Sequence, residues 1–180
     1  MLKKMRGFTL IELLIVVAII GILAALLIPN ALSAIQKAKQ KGTMKDINSI
    51  ATAMVDFITD NGTAPLHNGT LTAGDQLYLD LSGFYLKVLP TNDQWGSPFL
   101  VYGQSSAVMG TAYGITESAD DEFLIVSWGR DKGDGPAFTF DPLDPVLSYF
   151  PITGLTSFNQ DLVNWSGSWI HAPKSAQLGS

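Results

Sequence analysis

The first thirty residues carry the longest run of hydrophobic positions in the chain. Between Phe8 and Ile28 the side chains are almost all Leu, Ile, Val and Ala, and Glu12 carries the only charge. A helix over these residues would be roughly 31 Å long, which matches the hydrocarbon thickness of a bilayer. A short basic leader ending at Gly7 precedes it. The pattern therefore predicts a membrane-spanning helix.

After Pro29 the hydrophobic residues recur at three- and four-residue spacing, as in an amphipathic helix. The members of this stripe are Leu32, Ile35, Met44, Ile47, Ile50, Ala51, Met54 and Ile58. The sequence Asp60-Asn61-Gly62 is a typical helix stop. We therefore expect residues 30–60 to form an amphipathic half of the helix that packs on a following sheet. The opposite, polar face holds Lys37, Lys39, Lys41, Lys45 and Asp46. Its lysines are either solvated or contact anionic lipid or a neighbouring acidic subunit.

The remaining residues, 61–180, have the pattern of a globular head. Residues 76–89 are apolar enough for a short helix or strand, and Trp95 lies in a tight turn and is expected to belong to the core. Three short segments rich in β-branched and aromatic residues follow at 99–102, 112–116 and 122–128. A hairpin is predicted from 161–165 and 168–171, and a frayed tail from Pro173 onwards.

Together these elements predict an α+β fold. A long N-terminal helix would pack on a small antiparallel sheet, because short sequential strands with tight connections favour a meander.

The charge and the amino-acid composition of the chain argue against several classes of protein. The net charge of the 180-residue chain is −5, and three of its eleven basic residues lie in the leader. Without the leader the charge is about −8, which attracts cations and does not attract nucleic acid. The absence of cysteine excludes disulfides and thiol catalysis. His67 and His171 lack the spacing of catalytic or metalloprotease motifs, and no phosphate-binding loop occurs, so we predict no enzymatic activity.

The residues around the leader junction resemble a known signal. Gly7-Phe8-Thr9-Leu10-Ile11-Glu12 is similar to the prepilin signal of type IV pilins and type II secretion pseudopilins. This resemblance implies a leader of residues 1–7, a cut between Gly7 and Phe8 by prepilin peptidase, and N-methylation of Phe8. It also implies a pilin-like fold, in which residues 8–29 form the transmembrane and filament-core helix.

Glu12 has a physical explanation under this resemblance. A carboxylate in hydrocarbon is costly unless it is paired, and cleavage would create an ammonium group on Phe8. Pairing between that ammonium of one subunit and Glu12 of its neighbour would set the register of a filament. A plain membrane anchor, with Glu12 at the lipid headgroups, is the alternative. The resemblance further implies that the helix near Gly21 and Pro29 can unwind in filaments, whereas a lone chain would only bend at Pro29.

Two segments of the head resemble the type II secretion major pseudopilin. Residues 127–135 are similar to its S-x-G-x-D-G loop, and residues 159–165 to its N-x-D-[IL]-x-N-W ending. In that family the loop between them binds calcium, which implies Asp131 and Asp161 as ligands, with Asp134 next. Two features depart from the family pattern, namely Lys132 in place of a glycine and an inserted segment at 136–158. Alternatively, the aspartates only stabilise turns.

The resemblance implies a structural filament subunit, with the major pseudopilin of a type II secretion system as the first hypothesis. Its partners would be copies of itself, the prepilin peptidase and methyltransferase, an inner-membrane assembly platform and minor pseudopilins. The chain would cross the inner membrane once, with its head in the periplasm, before it enters a periplasmic or cell-surface filament. A major or minor pilin of a type IV pilus, serving adhesion, motility or DNA uptake, is the second hypothesis. A membrane-anchored binding module is the third.

Overall fold

A computed structural model describes residues 8–104, 106–116, 118–133 and 139–174. It separates into two compact units, residues 1–35 and 36–180. Helix α1 (Leu10–Asn61) begins in the first unit and ends in the second. Pro29 lies inside this helix, which continues past it. The helix ends at the predicted stop, where Gly62 adopts a φ of 81° that favours glycine.

The first unit is an apolar helix with exposed side chains. From Phe8 to Ile35 every described residue is exposed except Ala24, which is half-buried. Among the described residues, α1 is the one helix long and apolar enough to cross a membrane.

The second unit contains a six-stranded sheet in the order β1-β2-β3-β5-β6-β4. The strands are β1 (Asn68–Thr70), β2 (Leu100–Gly103), β3 (Phe123–Ser127), β4 (Tyr149–Phe150), β5 (Leu162–Trp165) and β6 (Ser168–Pro173). All neighbouring pairs are antiparallel except β4 and β6, which are parallel. Two short helices, α2 (Gln76–Leu81) and α3 (Ala107–Tyr113), lie between strands. The α+β fold and its mainly antiparallel sheet are therefore confirmed.

Both faces of the central strands are buried. On one face the C-terminal half of α1 packs against the sheet through Ile47, Ile50 and Met54, which are fully buried. On the other face Met109 of α3 joins a second cluster with Leu124. Alternation along β3 sends side chains to both clusters, which explains why all five of its residues are buried.

The predicted strand at 112–116 is wrong. Residues 107–113 form helix α3, which ends at Gly114 with a φ of 77°. The Ile115 N–H donates to the Met109 carbonyl, as in a Schellman ending. Burial of Met109 on the open face of the sheet favours the helix here, and this tertiary contact overrides the β propensity of Tyr113 and Ile115.

Two other details differ from the sequence expectations. Leu32 and Ile35 of the predicted stripe are exposed, and burial along α1 begins only at Gln40. Pro173 is not part of a tail, because it ends β6 and pairs with Phe150 in β4. Residues 175–180 lie outside the described part of the chain.

Candidate functional site

The N-terminal motif forms a reciprocal helix cap. The Thr9 N–H and the Thr9 hydroxyl both donate to Glu12 Oε2, at 2.9 and 2.7 Å. The Glu12 N–H donates back to Thr9 Oγ1 at 3.3 Å. A Thr and a Glu three residues apart make a capping box, which satisfies backbone donors that a helix start otherwise leaves unpaired. Glu12 therefore has a structural role within its own chain, which the sequence interpretation did not include.

Phe8 precedes this cap and is 80% exposed. Gly7 lies outside the described residues. The cut between Gly7 and Phe8, the methylation of Phe8 and the pairing of Glu12 with another subunit stay predictions.

A buried carboxylate organises the turn that contains Trp95. Asp93 is 6% exposed, and its Oδ1 accepts the N–H groups of Trp95 and Ser97, each at 2.9 Å. Its Oδ2 accepts the Ser127 hydroxyl at 2.8 Å. Trp95 is buried, and its indole N–H donates to Gln36 Oε1 at 2.7 Å. The expectation that Trp95 belongs to the core is confirmed, and the turn is joined to both α1 and β3.

Ser127 also begins the loop predicted to bind a metal. Its hydroxyl accepts the Gly129 N–H at 3.3 Å. A 3₁₀ turn, Gly129–Asp131, then packs against a second one, Leu155–Asn159. A Cβ at Gly129 would lie 2.8 Å from the carbonyl oxygens of Phe158 and Gln160, so only glycine fits here. Arg130 reinforces the contact by donating to the Leu155 carbonyl at 3.2 Å.

These contacts place the two predicted ligand segments side by side. Asp131 is exposed at the end of the first 3₁₀ turn, and Asp161 is 8% exposed just after the second. Asp134 lies outside the described residues. Within the described ranges no group of three or more acidic or histidine side chains could hold a metal ion.

The side-chain oxygen of Asn159 is also relevant to whether a cation could bind between these two segments. Asn159 Oδ1 is buried, and it has no hydrogen-bond partner among the described residues. A buried acceptor without a donor is unfavourable, and a cation would satisfy it. Calcium takes six to eight oxygens from carboxylates, carbonyls, amides and water. Asp131, Asn159 and Asp161 therefore offer oxygen atoms of the chemical type that calcium takes as ligands.

Lys132 follows Asp131 in the left-handed region, with a φ of 62°. Its ammonium nitrogen would lie 3.7 Å from a Cβ at Gly96, so the side chain extends to the Asp93 turn. A lysine thus occupies, at some strain, a backbone conformation that favours glycine, at the position where the resemblance implies a glycine.

The two histidines, His67 and His171, have different partners and do not form a common site. His67 Nε2 lies 4.0 Å from Asp75 Oδ2. His171 is buried, and its Nδ1 lies 2.6 Å from the Ser148 carbonyl oxygen. Burial lowers the pKa of His171 below its usual value, because the charged form is poorly solvated there. The bond from His171 attaches β6 to the segment that precedes β4.

The amino-acid sequence is similar to those of known proteins. The prokaryotic N-terminal methylation motif matches residues 2–28. The type II secretion system core protein G of Aeromonas hydrophila is 31% identical over 137 residues, which cover 70% of this chain and 94% of that protein. The corresponding protein of Vibrio cholerae is 36% identical over 143 residues, which cover 74% and 90%. The chain belongs to the type II secretion system core protein G family. No solved structure matches it significantly.

Membership of the core protein G family identifies the chain as a structural pseudopilin subunit. The family and the apolar first unit together indicate that the chain is anchored in a membrane. The sequence predicts the tight turn around Trp95 but not the role of Asp93 as the acceptor that organises it. Its signal was an Asp three residues before a Gly, the pattern of a turn in which the carboxylate caps the following amides.

Proposed function

We propose that this chain is the major pseudopilin of a type II protein secretion system and that it polymerises through its N-terminal helix. The observation that carries this proposal is the exposed apolar surface of the first unit. A helix that is hydrophobic on every side is stable only where lipid or other helices surround it. A membrane and a filament core provide these two environments in succession.

Processing would convert the membrane form into the assembling form. Prepilin peptidase would cut between Gly7 and Phe8, and Phe8 would be methylated. Before assembly the chain would span the inner membrane once, with its head in the periplasm. The assembly platform and minor pseudopilins would then incorporate it into a filament, where Glu12 of one subunit pairs with the Phe8 ammonium of its neighbour.

Three measurements on the producing cells test this proposal. Deletion of the gene should stop export of the secreted proteins while they accumulate in the periplasm. Mass spectrometry of the purified chain should find methylated Phe8 as its first residue, and the wild-type protein should form filaments. An unprocessed chain that starts at Met1 and forms no filaments would overturn the proposal and favour a membrane-anchored binding module.

A type IV pilus subunit is the second candidate, and the inserted segment at 136–158 favours it because it lengthens the head relative to the pseudopilin pattern. Sheared surface material distinguishes the two. Long surface filaments at native expression, with secretion unaffected by deletion, would favour the pilus.

We further propose that the head binds calcium between the 3₁₀ turns Gly129–Asp131 and Leu155–Asn159. Asp131, Asp134 and Asp161 would supply carboxylates, and Asn159 would supply its unpaired amide oxygen. The proposed ion would connect the loop after β3 to the start of β5, and it would stabilise the folded head by mass action.

Thermal unfolding of the full mature chain in detergent tests the metal proposal. Millimolar calcium should raise the Tm of the wild type, whereas an equal concentration of magnesium should raise it less, because magnesium gives up its water reluctantly. Asp161→Asn should remove the calcium effect, and Asp121→Asn, at an exposed acid elsewhere, should keep it. A wild-type Tm that calcium leaves unchanged contradicts the proposal.

A further inference from the structure

A groove on the head combines positive charge with an apolar wall. It has a volume of about 500 Å³ and lies between the polar flank of α1 and the end of β6. Lys37, Lys41 and Lys45 line one side of it, and Trp169 and Pro173 lie on the other. The three lysines follow one another at four-residue spacing, so their ammonium groups share one helix face and repel one another. Among the described residues no carboxylate forms an ion pair with them.

The groove also contains an unsatisfied donor. Gln40 lines it and is only 2% exposed. Its amide nitrogen has no hydrogen-bond partner in the described part of the chain. A buried amide donor without an acceptor is unfavourable, so the groove suits an occupant that brings an oxygen acceptor together with negative charge and apolar surface.

Residues 141–147 of the chain have these complementary properties. Leu143, Val146 and Leu147 are 94%, 58% and 78% exposed, which is unusual for side chains of this size in one short loop. Asp141 and Asp144 lie among them and are also exposed. The loop is ordered by its own bonds, since Asp141 Oδ1 accepts the Leu143 N–H at 2.9 Å and its carbonyl accepts the Asp144 N–H at 3.2 Å.

We propose that the loop of residues 141–147 of one subunit docks in the lysine-lined groove of a second copy. The leucines would cover the apolar wall at Trp169 and Pro173. The aspartates would face the lysines, and an oxygen of the loop would accept the bond that Gln40 offers.

Groove and loop are different surfaces, so each subunit offers one of each. Such a heterologous contact repeats head to tail and builds an open helical polymer when the rotation does not close. The inference rests on the proposed function, because it requires copies of the chain to meet in a filament. It adds a specific contact between the globular heads of neighbouring subunits, which the apolar helix alone does not provide.

Cysteine cross-linking tests the contact directly, because the chain contains no cysteine. The double variant Lys41→Cys with Leu143→Cys, expressed as full-length protein and treated with a short bismaleimide, should give dimers, trimers and higher species. Each single variant should remain monomeric, and the two singles co-expressed should give dimers only. As a matched control, Lys41→Cys with Asp121→Cys joins the groove to a different exposed acidic loop and should give no ladder.

Charge reversal provides a second measurement. Lys45→Glu in the double-cysteine background should lower the ladder yield several-fold, and adding Asp144→Lys should restore it. Filaments that form normally without any 41–143 ladder would overturn this inference and leave the proposed function standing. A cross-link that forms only within one chain would overturn it as well. Absence of both filaments and ladder from the processed chain would overturn both proposals.

Discussion

The two units of this protein are both rich in hydrophobic residues, but they use them differently. In residues 8–35 the large side chains are exposed, with Leu10 at 82% and Leu26 at 70%. In the second unit Ile47, Ile50 and Phe123 are at most 1% exposed. The first unit therefore depends on surroundings that the chain does not provide, whereas the second is stabilised by its own core.

The spacing of the hydrophobic positions explains this difference. Before Pro29 they occur on all sides of the helix, so no single sheet could cover them. After Gln40 they fall on one face, and that face packs on the sheet. A substitution in the first unit should accordingly leave the stability of the head unchanged. A substitution in the core of the head should in turn leave the exposed apolar surface of the first unit unchanged.

The largest expected effect is in the first unit. Glu12→Ala removes the capping bonds with Thr9 and the proposed partner of the Phe8 ammonium, so we expect loss of filaments. Electron microscopy of material sheared from the cells measures how many filaments remain. The unfolding transition of the head in detergent should stay at the wild-type temperature. Normal filaments from this variant would refute the assembly role of Glu12.

Next in size is a truncation in the core of the head. Phe123→Ala should reduce the free energy of unfolding by about 3–5 kcal/mol, because it removes a fully buried ring and leaves a cavity. Denaturant unfolding of the mature chain in detergent measures this loss. The matched control Leu14→Ala, at a residue 59% exposed, should change it by less than about 0.5 kcal/mol. Equal losses at the two positions would contradict the comparison.

A smaller effect is expected at the Asp93 turn. Asp93→Ala leaves the amides of Trp95 and Ser97 without their acceptor and should cost about 2–4 kcal/mol of unfolding free energy. Asp93→Asn retains an oxygen acceptor and should cost less. The same denaturant titration gives both values, and Asp121→Ala serves as an exposed control. A negligible loss in Asp93→Ala would show that the turn does not depend on this carboxylate.

The smallest effect is a pH dependence from His171. Its folded pKa is lowered below 6.5, so the unfolded chain binds the proton more readily, and stability falls as pH drops below about 6.5. One proton contributes a slope of at most about 1.4 kcal/mol per pH unit. The slope between pH 7.5 and 5.5 should be shallower in His171→Gln than in the wild type. Identical slopes in the two proteins would exclude this contribution.

Patterns within single elements predicted much of this fold. The long helix, its stop near Asn61, the neighbouring strands β2 and β3 and the C-terminal hairpin all follow from local periodicity and turn residues. Helix α3 could not be predicted in this way, because burial of Met109 against a distant strand decides its conformation. Strands β1 and β4 are only three and two residues long, and pairing with β2 and β6 defines them.

The candidate sites were predictable to different degrees. A contiguous motif identified Phe8 and Glu12, since all of its residues are neighbours in sequence. Asp131 and Asp161 were identified as a pair, but the unpaired oxygen of Asn159 between them appears only in the folded packing. The same holds for Gln40, a polar residue that the amphipathic pattern would place at the surface and that the structure buries.

The cap between Thr9 and Glu12 has a consequence for the energetics of assembly. Because the two residues already satisfy each other, the first turn of the helix has its shape before any second subunit arrives. Ordering a flexible turn at the moment of docking would cost conformational entropy, roughly 1–2 kcal/mol for each residue fixed. Pre-organisation of this turn removes that loss from every addition step, and over a long polymer the saving repeats once per subunit.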